Sequence, residues 1–366
     1  MFWKGARAAH YSPTGHLVYA RAGSLLAMPF DLDKLEVTGA PVPVVEGVET
    51  SFISGPAEFG IAGDGSLVYA PGESRADPRT VVWVDRQGRA EPLIDTPRPY
   101  WHVRLSPDGR FLALTINGAN LSLWTYDLAR GTLSPLARGF HNSHPVWTPD
   151  GRRLAFNREG VPHWQAPDGS GLPERLTSRE GPFASGPWPR SWSPDGKNLA
   201  FHGESPDTGY DIGILSMEGD SIPQVFLQTP FNERGPTFSP GGLWIAYVSD
   251  ESGQREIYIR GFPGSEAKRQ VSTAGGDSPR WNPRGRELFY REGDKLMAVA
   301  IELSEDPVLG KPRMLFERPS IIRYDVAPDG QRVVVIDESE SDVPPKQLHL
   351  VQNWAEELKR LVPTAN

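Results

Sequence analysis

Short apolar runs alternate along this chain with polar, glycine-bearing turns, and within the runs the period is near two. Leu154-Ala155-Phe156, Leu199-Ala200-Phe201, Ile245-Ala246-Tyr247 and Leu288-Phe289-Tyr290 each follow a turn, and Val146-Trp147, Ser191-Trp192, Thr237-Phe238 and Arg280-Trp281 each precede one. Large side chains alternate with small ones, so both faces of these strands can be buried, as stacking of sheets face to face requires. A third apolar run follows in most units, as at 121–126 and 256–259, and then a shorter fourth, as at 269–272 and 313–316. Helical periodicity is confined to the end of the chain, where Trp354, Leu358 and Leu361 fall at i, i+4 and i+7.

The turn itself recurs. Ser106-Pro107-Asp108-Gly109, Thr148-Pro149-Asp150-Gly151 and Ser193-Pro194-Asp195-Gly196 are close copies; Ser239-Pro240-Gly241-Gly242, Asn282-Pro283-Arg284-Gly285 and Ala327-Pro328-Asp329-Gly330 are looser ones. Ser12-Pro13-Thr14-Gly15 and Ala62-Gly63-Asp64-Gly65 precede them, and the final glycines of all eight are spaced by 45 residues on average. Ser or Thr can accept a local backbone N–H, Pro presets φ, Asp tolerates the third position and Gly the fourth. Four strands per roughly 45 residues is the period of a propeller blade. The pattern therefore predicts an all-β chain: a β-propeller of four-stranded antiparallel blades, eight by the turn count, with seven as the alternative. One propeller domain is expected over 1–354, with a short helical tail at 355–366. Ring closure is expected from a strand near Phe2-Trp3, because the last unit shows no fourth strand of its own.

The phrase Trp192-Ser193-Pro194-Asp195-Gly196-Lys197-Asn198-Leu199-Ala200-Phe201 resembles the TolB-like propeller repeat. Four further stretches, at 16–21, 82–88, 227–234 and 353–358, resemble the C-terminal propeller of bacterial membrane-anchored serine/threonine protein kinases, and this likeness runs from about Gly5 to Pro363. It implies a sensor or interaction domain that binds a small molecule, peptide or protein, and it implies a location outside the cytoplasmic membrane. Kinase activity does not come with it, since the chain carries no Gly-x-Gly-x-x-Gly loop, His-Arg-Asp or Asp-Phe-Gly.

Composition narrows the chemistry. The 366 residues include no cysteine, which excludes disulfides, thiolate metal sites and thiol nucleophiles. The formal charge is −8 without a basic cluster, so neither nucleic acid nor an anionic membrane surface is an expected partner. No apolar run approaches the ~18 residues of a membrane span, and the first residues lack the apolar core of a signal peptide. No Gly-x-Ser-x-Gly, His-Glu-x-x-His or Walker A sequence is present. The chain is read as a non-enzyme and a monomer, with no cofactor.

Candidate binding residues come from the repeat phase. In a propeller the first strand of each blade lines the axis, and the loop entering it lies on one rim. Three residues before the aligned bulky position stand Glu58, His102, His144, Pro189, Gly235, Ser278 and Arg323; beside them are Trp101, Trp188, Arg190, Glu233, Arg234 and Asp277. Structural repetition does not require such varied polar and aromatic residues, so this channel mouth is the expected ligand site, with aromatic platforms and Arg or His anion contacts. His141 and His144 are the weak metal candidates. Asp108, Asp150, Asp195 and Asp329 are read as turn residues, Asp250-Glu251-Ser252-Gly253 as a hairpin turn, and Trp147, Trp192 and Trp281 as core between blades. Two other functions stay open on these residues: a polysaccharide lyase or hydrolase using the channel, and a scaffold for protein assembly.

Overall fold

The computed structural model describes residues 7–21, 23–48, 59–71, 78–118, 120–177, 181–264, 267–319, 321–337 and 347–363. Where the spacing predicts one propeller over 1–354, the chain groups into two compact units, one of residues 78–339 and one of 1–77 with 340–366. Among the described residues the larger holds six antiparallel sheets. Its first is Tyr100–Leu105, Phe111–Asn117, Leu121–Asp127 and Thr132–Ala137, paired in that order. The second runs from Asn142–Trp147 to Glu174–Arg175, the third from Ser185–Trp192 to Gln224–Leu227, and the fourth from Glu233–Phe238 to Lys268–Gln270, each with four strands in chain order. In the fifth, Asp277–Trp281 and Glu287–Glu292 precede Lys295–Glu302, which pairs with both Val308–Leu309 and Arg313–Glu317. The sixth joins Ile321–Val326 and Arg332–Asp337 to Arg79–Asp85 and Ala90–Arg98 from the other end of the unit.

These sheets stack through apolar cores, each shared by neighbours. Trp147 packs between the first and second sheets with Ala113, Leu123 and Leu154; Trp192 packs between the second and third with Ala155 and Leu199; Trp281 packs between the fourth and fifth with Ile257 and Leu288. All three are the inter-sheet core that their shared repeat position implies. A buried indole removes ~150–250 Å² from water, which at ~25 cal/mol per Å² contributes about 4–6 kcal/mol at each such interface. Val81, Val334 and Ile336 of the sixth sheet share a core with Tyr100, Val103 and Leu112 of the first, so the set of six closes on itself.

The turns behave as their chemistry requires. The final glycine N–H of all eight donates to the carbonyl of the first turn residue, from Gly15 to Ser12 at 3.0 Å through Gly330 to Ala327 at 2.8 Å. Ser106 Oγ donates to Asp108 at 2.6 Å and accepts from the Phe111 N–H at 2.9 Å, so these aspartates serve the turn. Gly109 has φ +70°, and a Cβ there would stand 3.2 Å from Pro328 Cγ of the sixth sheet's turn. Asp250 and Gly253 likewise close a hairpin turn, N–H to carbonyl, at 2.9 Å.

Of the eight turns, six serve the sheets of the larger unit and two, at 12–15 and 62–65, belong to the smaller. The reason is a pairing preference. Arg332–Asp337 meets Arg79–Asp85 along six residues, with Val333 opposite Val84, Val335 opposite Val82 and Ile336 opposite Val81. His349–Val351 has only three residues to offer and pairs instead with Leu67–Tyr69. Closure of the six-sheet set thus comes from 79–98; Phe2 and Trp3 lie outside the described residues.

In the smaller unit, Arg7–Ser12, His16–Arg21 and Ser24–Asp31 form a sheet whose third strand also pairs with Glu36–Val37 and Val42–Glu46. A second sheet is Phe59–Ile61, Leu67–Tyr69 and His349–Val351. The helix Trp354–Leu361 buries Trp354 and Leu358 against Val18, Leu25 and Leu67, the face its i, i+4 spacing predicts. No helix among the described residues is long and apolar enough to cross a membrane.

Candidate functional site

The first strands of the six sheets touch one another in turn, 100–105 against 142–147 and so on round to 321–326 against 100–105, and they line a common axis. Each carries a break in pairing register upstream of its bulky position: between Ser143 and Val146, Arg234 and Thr237, and Asp277 and Arg280 at equivalent residues, and somewhat further upstream between Tyr100 and His102, Ile321 and Arg323, and Ser185 and Trp188. A bulge re-aims the side chains beside it, and its recurrence turns the chosen positions toward the axis. His144, Gly235 and Ser278 are equivalent residues at these breaks, with φ of 55°, 62° and 56°. Only the glycine occupies that conformation without steric cost, so His144 and Ser278 hold strained backbone. The third strand has a second break, between Pro189 and Ser191, which leaves Arg190 as an extra residue without a partner across the strand.

These breaks bring most of the expected residues together. The rings of His102 and His144 have centroids 4.6 Å apart. His144 lies 6.4 Å from Trp188 and 6.3 Å from His202, and Trp188 lies 5.4 Å from His202. Tyr210 continues the stack at 5.8 Å from His202, capped by the Arg234 guanidinium 3.8 Å from its centroid. Trp101 is 5.3 Å from the guanidinium carbons of both Arg79 and Arg323. His102 is 3% exposed and its buried Nδ1 has no hydrogen-bond partner, so it belongs to the channel wall and not to the open rim expected of it. Glu233 lies elsewhere, and Asp277 bears on the group through its charge, favouring the charged forms of Arg190 and Arg323. Glu233 is fully buried beside Thr229, and Asp277 pairs with Arg255 at 3.4 Å while accepting from Ser278 at 2.8 Å. Glu58 lies outside the described residues.

On the side where the turns lie, the channel opens into a cavity of about 350 Å³. Six turn prolines, Pro107, Pro149, Pro194, Pro240, Pro283 and Pro328, ring its mouth, and Arg104, Arg190, Arg280 and Asp325 lie deeper. Arg104 is 8% exposed and gives one N–H to the Val103 carbonyl at 2.9 Å. Arg280 donates to the Pro279 carbonyl at 2.7 Å and faces Asp325 at 3.5 Å; Asp325 also accepts from the Leu105 N–H at 2.8 Å. Arg190 Nε donates to His202 Nδ1 at 3.0 Å.

The electrostatics follow from this crowding of cations. Burial, then Arg323, Arg190, Arg104 and Arg280, hold the His102 imidazole well below the usual histidine range. Burial and Arg190 do the same to His144 and His202. Burial and Arg280 push Arg104 down to about 9, and burial with Arg104 and Arg323 lowers Arg190. Guanidiniums keep their protons at neutral pH. The histidines are therefore neutral and the arginines charged, in a site that would bind a proton weakly and an anion well.

Sequence reasoning missed Arg104, Arg280 and Asp325. They stand one residue before the bulky positions Leu105, Trp281 and Val326, a phase equally visible in the repeat. It also missed His202 and Tyr210, which come from the second and third strands of their sheet; nothing in the repeat phase aims those strands at the axis. Among the described residues no group of three His, Asp or Glu is placed to hold a metal ion. His144 Nδ1 meets Ser143 Oγ at 2.9 Å, and the His141 backbone N–H donates to Glu159 at 2.7 Å.

No protein-family model matches the chain. The protein Atu1656 of Agrobacterium fabrum is 30% identical over 252 residues, covering 63% of this chain and 74% of its own. Among solved structures, a protein assigned as TolB from Agrobacterium tumefaciens aligns with a TM-score of 0.57 at 19% identity, over 72% of this chain and 99% of that one. An oligogalacturonate lyase in complex with manganese aligns at 0.50 and 14% identity, over 82% and 81%. With four-stranded sheets stacked around an axis and Pro-Asp-Gly turns between their first two strands, the chain has a TolB-like β-propeller fold and belongs to the family of Atu1656.

Proposed function

We propose that the larger unit is a non-catalytic binding propeller whose axial channel takes an anionic ligand. One observation carries the reading: Arg104, Arg190 and Arg280 converge at the inner end of a cavity with a single carboxylate, Asp325, among them. Nature rarely buries unpaired charge, because desolvation costs several kcal/mol per ion; a site that does so is preorganised for a partner of opposite sign. His102 and His144 would be the working groups of the enzyme alternative, as base or metal ligands. The binding reading is preferred because the charges bearing on both are cationic guanidiniums, and no carboxylate orients either ring.

The repeat phrases shared with kinase propellers support a finer reading, in which occupancy of the channel is reported to a serine/threonine kinase as part of a bacterial signalling protein. Isothermal titration with inorganic phosphate tests the binding step. Saturable binding is expected, weakened about tenfold or more in Arg104→Met, in line with the ~1.5–3 kcal/mol of a charge-assisted hydrogen bond. Absence of saturable heat with phosphate and with other small anions would remove the proposal.

A further inference from the structure

We propose that the channel is loaded from the side of the turns, head first, by a ligand with a dianionic head and a flat apolar body. This rests on the anion-binding reading and adds to it the charge, shape and direction of the ligand.

The charge comes from the inner end of the cavity. Three guanidiniums and one carboxylate line this end, and from beyond the lining Arg323 and Asp277 act on Arg190 as one more cation and one more anion, which leaves two positive charges once the neutral histidines are set aside. Donors remain for a ligand to use. Arg104 gives only one of its five N–H groups to the protein, to Val103. Arg190 turns Nε and Nη2 toward His202, and its Nη1 makes no hydrogen bond. A dianion with several acceptor oxygens matches such forks bidentately, and a monoanion leaves one charge uncompensated.

Shape comes from the wall and mouth. A proline carries no N–H, so the six that ring the opening offer an anion no donor there. Trp147, Trp192, Phe238 and Trp281 line the same cavity. Trp147 and Trp281 spend their indole N–H on the carbonyls of Arg104 and Thr237, at 3.1 and 3.0 Å. Trp192, their repeat equivalent, has no acceptor for its buried Nε1 and is itself only 6% exposed. It is thus an indole donor among the cavity-lining residues that the protein itself does not use. A bare inorganic ion would fill little of a cavity this size, which falls in the range of small organic ligands. Direction follows from burial: Pro107, Pro194, Pro283 and Pro328 are exposed, and Arg104 is buried.

The test is isothermal titration of the whole protein with phenyl phosphate, inorganic phosphate and benzoate at one salt concentration. Phenyl phosphate should bind at least tenfold more tightly than inorganic phosphate, because its ring enters the collar, and at least tenfold more tightly than benzoate, because its head carries the second charge. In Arg280→Met the preference over benzoate should fall to threefold or less. Equal affinity for phenyl phosphate and inorganic phosphate overturns the apolar collar and leaves the anion reading standing. Equal affinity for phenyl phosphate and benzoate overturns the dianion. Binding of none of the three overturns both this inference and the reading beneath it. The ligand series on the unsubstituted protein decides these outcomes even where Arg280→Met folds poorly.

Discussion

Arg190 Nε donates to His202 Nδ1 at 3.0 Å, so the side chain that a second strand bulge swings onto the axis also requires the imidazole beside it to be neutral. Burial, Arg190 and Arg234 together lower the affinity of His202 for a proton. In Arg190→Met the strongest of the two cations is gone, and His202 is expected to titrate closer to the ordinary value near ~6.5. Side-chain NMR titration reads this directly: His102, His144 and His202 should titrate well below an ordinary histidine in the unsubstituted protein, and His202 should move upward in the variant. A His202 titration unchanged by the substitution would mean that the guanidinium does not govern it.

Two kinds of buried group give stability opposite pH dependences. The three channel histidines have folded pKa values below their unfolded value, so their contribution is complete above ~6.5 and is lost as pH falls beneath it. Glu233 is the reverse. Burial first, and the nearby Asp211, Glu251 and Asp250, push its carboxyl up to about 7. Its contribution is complete at low pH and is lost as pH rises from 4.5 to 7. Glu233→Gln keeps an acceptor for the Thr229 hydroxyl and removes the ionisation. Its Tm should exceed that of the unsubstituted protein by a few degrees at pH 8 and match it at pH 4.5. A Tm lower at both pH values would show that the carboxylate, and not the carboxyl, is what the site holds.

Ring closure can be probed through Arg86 and Glu287. Arg86 follows directly on the Arg79–Asp85 strand of the sixth sheet and grips Glu287 of the fifth with two bonds, at 2.9 and 2.8 Å; Arg313 adds a third at 2.8 Å. Arg86 chiefly, with Arg313 and Asn282, holds the Glu287 carboxyl down to about 2. A depressed folded value means stability present above ~4.5 and lost as pH falls toward 2. Both partners are half-buried, so urea unfolding at pH 7 should show Arg86→Met less stable by about 1.5–3 kcal/mol, the range for hydrogen bonds to charged groups. A loss below ~0.5 kcal/mol would place the pair with ordinary surface ion pairs.

The repeat made the sheets legible because each turn phrase has one good conformation. Gly109 and its equivalents sit where the fourth residue must, and Trp147, Trp192 and Trp281 fill the same inter-sheet position. The distribution of sheets was less legible, since it depends on which partner the Arg332–Asp337 strand takes. Its rivals differ only in length and apolar content, a three-residue strand at 349 against the valine-rich one at 79. At the site, counting from the bulky positions found His102, His144 and Arg323. It named Arg190 as a neighbour of Pro189 but could not foresee the bulge that leaves Arg190 unpaired, because a bulge is a property of pairing and leaves no period in the sequence; nor could it foresee His202 and Tyr210 arriving from neighbouring strands.

Anomalous diffraction from crystals soaked in tungstate would locate a dianion without any assumption about its natural counterpart. A tungsten peak is expected at the inner end of the turn-side cavity, its oxygens within hydrogen-bond distance of Arg104, Arg190 and Arg280. Tungstate bound only on the outer surface, with that cavity empty at saturating concentration, would contradict it.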